Sequence, residues 1–116
     1  MRVLLVDDEK KFVTMLAKRL VLRGIDADYV YTGEDAIVKA EKSRYDLAIL
    51  DVKMPGIGGL ELERQLKKLA PEMKFIFLTG HGSEADFKTG SAKAERYLAK
   101  PIQIEELIEI LREVAG

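Results

Sequence analysis

The chain contains no cysteine, which excludes disulfides, zinc–thiolate centres and thiol nucleophiles. No apolar run approaches the roughly 20 residues that a membrane-spanning helix requires. The opening MRVLLV is cut short by DDEKK, well before a secretory apolar region could form. Charge of one sign is lacking too. With 19 Lys and Arg against 20 Asp and Glu, the formal charge is −1, which argues against a general nucleic-acid or membrane surface. What is left is a soluble, cytoplasmic protein of 116 residues, enough for one domain with a real core. We expect that domain to span residues 1–116. Because nothing follows Gly116, no output domain is expected in this chain, which reads as either a stand-alone module or the N-terminal part of a longer protein.

Three short runs are apolar throughout: Val3–Val6, Leu47–Leu50 and Phe75–Leu78. Continuous apolarity in a strand means that both of its faces are covered, as at the centre of a parallel sheet. Ala27–Tyr31 and Tyr97–Ala99 mix polar and apolar residues, as edge strands do. Helical patterns lie between the runs. Phe12, Met15, Leu16 and Leu20 share a face that stops at Gly24, and Thr32 can cap a helix over Ala36–Ala40. Leu60, Leu66 and Leu69 mark a third helix, ended by Pro71, and Ile104, Leu107, Ile108 and Leu111 give the last helix its stripe. These helix-period residues are all expected in the core. Strand and helix therefore alternate five times, a doubly wound (βα)5 domain of the flavodoxin-like class. Placing the most apolar strands at the centre gives the order 2-1-3-4-5, with a switch point between the first and third strands, where open α/β sheets bind ligands.

The first strand runs into Asp7-Asp8-Glu9 and the third into Asp51. Singly, each acid has a bland explanation, as a turn former or a solvated helix cap. The predicted topology instead brings three carboxylates into one pocket. Packed like charges raise one another's pKa, and a hard divalent cation such as Mg2+ relieves the repulsion. The fourth strand ends at Thr79 and the fifth is followed by Lys100-Pro101, so a hydroxyl and a lysine reach the same sheet edge. Together these groups suit phosphoryl transfer. Asp51 serves as nucleophile, while Mg2+, Lys100 and Thr79 offset or hydrogen-bond the charge spread over the phosphoryl oxygens.

VLLVDDE, LAILDVKMPGIGGLEL, FIFLTGHGS and YLAKPI, in that order and covering nearly the whole chain, resemble the signature segments of bacterial two-component response-regulator receiver domains. The resemblance implies that Asp51 accepts phosphate from a histidine kinase or a phosphotransfer protein. It implies Mg2+ held by Asp8, by Asp51, by the backbone carbonyl of Lys53, and by Asp7 through water. Thr79 and Tyr97 match the family's switch pair, and Lys100 its lysine, with Lys100-Pro101 commonly cis. The resemblance also makes the domain a signalling phosphoacceptor rather than an enzyme. Its helix over 84–92, its fifth strand and its last helix would form the face for an output domain, a partner protein or a second copy, without contact to nucleic acid or membrane. Ala92-Lys93-Ala94-Glu95-Arg96 departs from the family's usual Gly-Ala pair, and the interval from Thr79 to Lys100 is about one residue short.

The helix over 84–92 is poor in apolar residues and holds Thr89-Gly90-Ser91, so it should be the least ordered regular element. Lys53 and His81, the sole histidine, each lie two residues past a site residue, at the rim where water enters. They are expected to tune phosphoryl lifetime. A phosphatase of the haloacid-dehalogenase type would need an Asp where Lys53 stands. A flavodoxin-like nucleotide binder would need a Gly- or Ser-rich loop where Asp7-Asp8-Glu9 stands. A phosphorylation-independent interaction module on the same fold is the remaining alternative.

Overall fold

Within each apolar run, alternate residues serve opposite faces of one sheet. In the computed structural model, which describes residues 1–80 and 96–115 except for the side chains of Thr79 and Arg96, the elements run β1 (Arg2–Val6), α1 (Lys10–Leu22), β2 (Asp26–Val30), α2 (Gly33–Lys42) and β3 (Leu47–Leu50), then α3 (Gly59–Leu69), β4 (Lys74–Thr79), β5 (Arg96–Ala99) and α4 (Ile104–Ala115). All five strands are parallel, in the order β2-β1-β3-β4-β5. This is the predicted order, with β2 and β5 at the edges.

Val3, Leu5, Leu47, Ile49, Ile76 and Leu78 face a core completed by Val13, Leu16, Ala17 and Leu20 of α1 and by Ile104, Leu107, Ile108 and Leu111 of α4. Leu4, Val6, Ala48, Leu50, Phe75 and Phe77 face the other layer, where Ala36 of α2 and Leu62 and Leu66 of α3 pack. A strand covered on both sides can afford no polar residue, which is why the sequence shows runs here and not alternation.

Two of the expected core residues are not in the core. Met15 and Leu69 are 42% and 46% exposed. In α1 the buried set is Val13, Leu16, Ala17 and Leu20, at i, i+3, i+4 and i+7, which turns Met15 outward. Leu69 shares a stripe with Leu62 and Leu66, but it lies in the last turn of α3 and lines an open groove with Ala40, Pro71 and Met73. The second strand also ends at Val30, one residue short of the expected Tyr31.

Local signals fix the helix ends. The Thr32 side chain accepts a hydrogen bond from the Asp35 N–H at 3.1 Å, the expected cap of α2. After α1, Gly24 takes φ +83° while its N–H donates to Val21 O at 3.0 Å, the left-handed exit that glycine permits. The helix expected over 84–92 lies outside the described residues. No helix among those described is long and apolar enough to cross a membrane.

Candidate functional site

In the register of the sheet, Val6 pairs with Leu50, so the residues that follow them, Asp7 and Asp51, leave adjacent strands at the same level. The Asp51 N–H donates to Val6 O at 3.0 Å, tying the two acids together through the backbone. One carboxylate oxygen from each of Asp7, Asp8 and Asp51 lies within 4.8 Å of the others. Asp7 and Asp51 are only 4% and 2% exposed, whereas Asp8 is exposed. All three convergent acids expected from the sequence are therefore brought together.

Lys100 enters from the end of β5, with Lys100-Pro101 in the cis form. Its Nζ lies 2.6 Å from Asp7 Oδ2 and 2.8 Å from Glu9 Oε1, but 3.9 Å from Asp51 Oδ2. The ammonium also sits over the Phe12 ring, 4.5 Å from its centroid. The bland reading of the acids survives in part, because Asp7 Oδ1 accepts the Glu9 N–H at 2.9 Å. Asp7 thus shapes the turn into α1 and faces the lysine at once. Glu9 itself stands at the N-cap of α1 and makes no side-chain cap bond.

These surroundings set the ionisation of the site. Burial, then the neighbouring charge of Asp7, pushes the Asp51 carboxyl up to about 6, with Lys100 opposing. Burial also raises Asp7, against the hydrogen bonds from Lys100 and from the Glu9 backbone. For Lys100, burial works to lower the pKa, but its hydrogen bonds to Asp7 and Glu9 prevail and raise it. Part of the floor is apolar. A cavity of about 10 Å³ beneath Asp7 and Asp51 is lined by Phe12, Leu16, Ile49 and Leu78, among others, room for one water at most. Asp51 Oδ1 is buried with no hydrogen-bond partner among the described residues.

A glycine supports Asp51 from behind. A side chain on Gly59, at the start of α3, would collide with the backbone carbonyl of Asp51, so only glycine lets α3 begin this close to the acid. Across the loop between them, the Gly59 N–H donates to Val52 O at 2.9 Å. Lys53 lies in that loop with its side chain exposed. Thr79 closes β4 and is paired in register with Ala99, so its backbone reaches the predicted sheet edge, while its hydroxyl and His81 lie outside what the structure describes. Tyr97 pairs with Phe77, ring centroids 5.6 Å apart, and packs on the α2–α3 side of the sheet.

The roles of Glu9, Phe12 and Gly59 were not evident from sequence. Gly58-Gly59 between a strand and a helix was a signal for close backbone approach. Nothing in DDEKKF marked Glu9 and Phe12 as the lysine's neighbours, since the contact from Lys100 back to Glu9 spans 91 residues.

Comparison with known proteins agrees with this geometry. Residues 3–112 match the family model described as the response regulator receiver domain. The chain is 36% identical over 112 residues to the transcriptional regulatory protein TrcR of Mycobacterium tuberculosis, covering 96% of this chain and 44% of that protein. It is 37% identical over 113 residues to TctD of Salmonella typhimurium, covering 97% and 50%. The chain thus spans about half the length of these regulators. Among solved structures, a CheY-like receiver domain protein from Methanospirillum hungatei superposes with a TM-score of 0.90 at 31% identity, covering 97% of this chain and 90% of that one. The response regulator TrrA of Thermotoga maritima, solved in complex with Mg2+ and BeF, gives 0.85 at 36% identity, covering 97% and 96%.

Proposed function

Since this chain belongs to the response regulator receiver domain family, we propose that Asp51 is its phosphoacceptor and that the domain takes a phosphoryl group from a histidine kinase or phosphotransfer protein in the cytoplasm. One observation carries the reading: a buried carboxylate oxygen, Asp51 Oδ1, without a hydrogen-bond partner among the described residues, at the centre of an acidic cluster with a lysine beside it. Leaving such an oxygen unpaired costs stability, and a site that keeps it so has a use for it. The carboxylate attacks phosphorus, an oxygen–phosphorus bond forms, and the bond from phosphorus to the donor breaks, leaving an aspartyl phosphate.

Three oxygen ligands within 4.8 Å of one another fit Mg2+, a hard cation that takes carboxylate oxygens and keeps several waters. Asp8 and Asp51, the Lys53 carbonyl and, through water, Asp7 would hold it, and the bound ion supplies positive charge against the phosphoryl oxygens. Asp7 is already engaged by Lys100 and by the Glu9 N–H, while Asp8 is exposed. That contrast supports Asp8 as the direct ligand. Lys100 neutralises a phosphoryl oxygen and the Thr79 hydroxyl donates to another, with Tyr97 following Thr79 as the second half of a switch.

The face carried by β5 and α4 would pass the signal to an output domain, a partner protein or a second copy. The exposed residues of α4 include Glu106, Glu109 and Glu113 with a single Arg112 among them, while Glu105 is paired with Arg23 at 3.3 Å, a net acidic surface suited to a basic partner. Acetyl phosphate with Mg2+ should label the wild type on Asp51, and EDTA should abolish the labelling. Unchanged label in Asp51→Asn would refute the assignment.

A further inference from the structure

The amine of Lys100 is held in a cage that points it away from Asp51. Asp7 and Glu9 grip Nζ at 2.6 and 2.8 Å, the Phe12 ring lies beneath it at 4.5 Å, and Asp51 stands beyond hydrogen-bond reach at 3.9 Å. The lysine side chain is 9% exposed and that of Glu9 50%, so one of the two gripping carboxylates can swing into water at little cost while the other cannot. We propose that Glu9 is a positioning residue that holds Lys100 in reserve, and that release of this one contact is the step by which the amine reaches a phosphoryl group on Asp51. The inference rests on Asp51 being the phosphoacceptor.

The physical basis is competition. An ammonium donates at most three hydrogen bonds, and the one spent on Glu9 is made in the unphosphorylated state alone. Removing that acceptor destabilises the reserve position and leaves the engaged position untouched, so binding of a phosphoryl group should tighten. Glu9 is the residue to alter, because its side chain is half exposed and makes no side-chain cap bond to α1.

The experiment uses beryllofluoride as the phosphoryl mimic, titrated at saturating Mg2+ into the wild type, Glu9→Gln and Glu9→Asp. In parallel, NMR follows hydrogen exchange of the Lys100 ammonium without either additive. Glu9→Gln should bind the mimic about two- to fivefold more tightly, the range expected for loss of one half-exposed charged contact, and its ammonium should exchange faster. Glu9→Asp keeps the charge but falls one methylene short of the amine, so it should behave like Glu9→Gln. An affinity in Glu9→Gln equal to the wild type would overturn the proposal, whatever the exchange rate shows. Wild-type affinity in Glu9→Asp alongside tighter binding in Glu9→Gln would overturn it too, since net charge and not the contact would then govern binding. Failure of the wild type to bind the mimic at all would remove the phosphoacceptor reading, and this inference with it.

Discussion

Burial and the charge of Asp7 hold the Asp51 carboxyl near 6, so between about pH 4 and pH 6 the folded chain binds a proton that the unfolded chain has released. A raised folded pKa gives stability that is complete below the unfolded value and is lost as pH rises through the folded one. In EDTA, Asp51→Asn should therefore unfold at a higher temperature than the wild type at pH 7, by an amount worth at most roughly 3 kcal/mol. The gap should close by about pH 4, and melts across that range decide it; a difference independent of pH would contradict the ionisation described for Asp51. Gly59 is the other residue on which the site leans. Gly59→Ala sets a methyl against the Asp51 carbonyl, and should cost roughly 1–3 kcal/mol while weakening Mg2+ binding measured by calorimetry. Gly24→Ala, at φ +83° with open space around it, should cost stability through its backbone alone and leave Mg2+ affinity unchanged.

The elements were legible to unequal degrees, and the reason is burial. β1, β3 and β4 announced themselves because a two-sided core admits only apolar side chains. β2 was harder, since Asp26 and Asp28 interrupt it, and the structure shows why they are there. Arg2 bridges to both at 3.0 and 3.3 Å, stacks over the Tyr45 ring, and Tyr45 Oη donates to Asp28 at 2.6 Å. Charges on an edge strand discourage pairing with another chain, and here they also clamp β2 to the starts of β1 and β3. No local pattern encodes that contact, so sequence reading could not see it. Tyr45→Phe should cost about 1 kcal/mol without altering Mg2+ affinity, as read from denaturant midpoints and a metal titration. In α4, the stripe read from sequence is the stripe found, and Leu107→Ala should cost about 2–5 kcal/mol. Leu69→Ala, in an exposed last turn, should stay within about 0.5 kcal/mol. Equal losses for the two leucines would mean that exposure is a poor guide to packing here.

For the whole molecule, Mg2+ at the proposed acidic site would make stability depend on the cation that relieves its repulsion. Anything that binds only the folded state raises the melting temperature by an amount that grows with the logarithm of its concentration relative to its dissociation constant, so Mg2+ should raise it in the wild type and progressively less in Asp7→Asn and Asp8→Asn. The greater loss is expected for Asp8→Asn, because Asp7 has Lys100 as a standing partner; equal losses would refute the ranking. Topology and the acid cluster were readable because they follow from strand order, which short apolar runs disclose. The grip on Lys100 was not, because Glu9 and the lysine lie 91 residues apart and meet only when β5 closes the edge of the sheet. That separation has a consequence for a chain still emerging from the ribosome. The first three strands can bring Asp7, Asp8 and Asp51 together, but the positive charge that steadies them arrives last. Until it does, the acids repel one another and no lysine stands ready for a phosphoryl group. If Asp51 is the phosphoacceptor, competence to receive a phosphoryl group would therefore come only with β5, and a half-made protein could not intercept one.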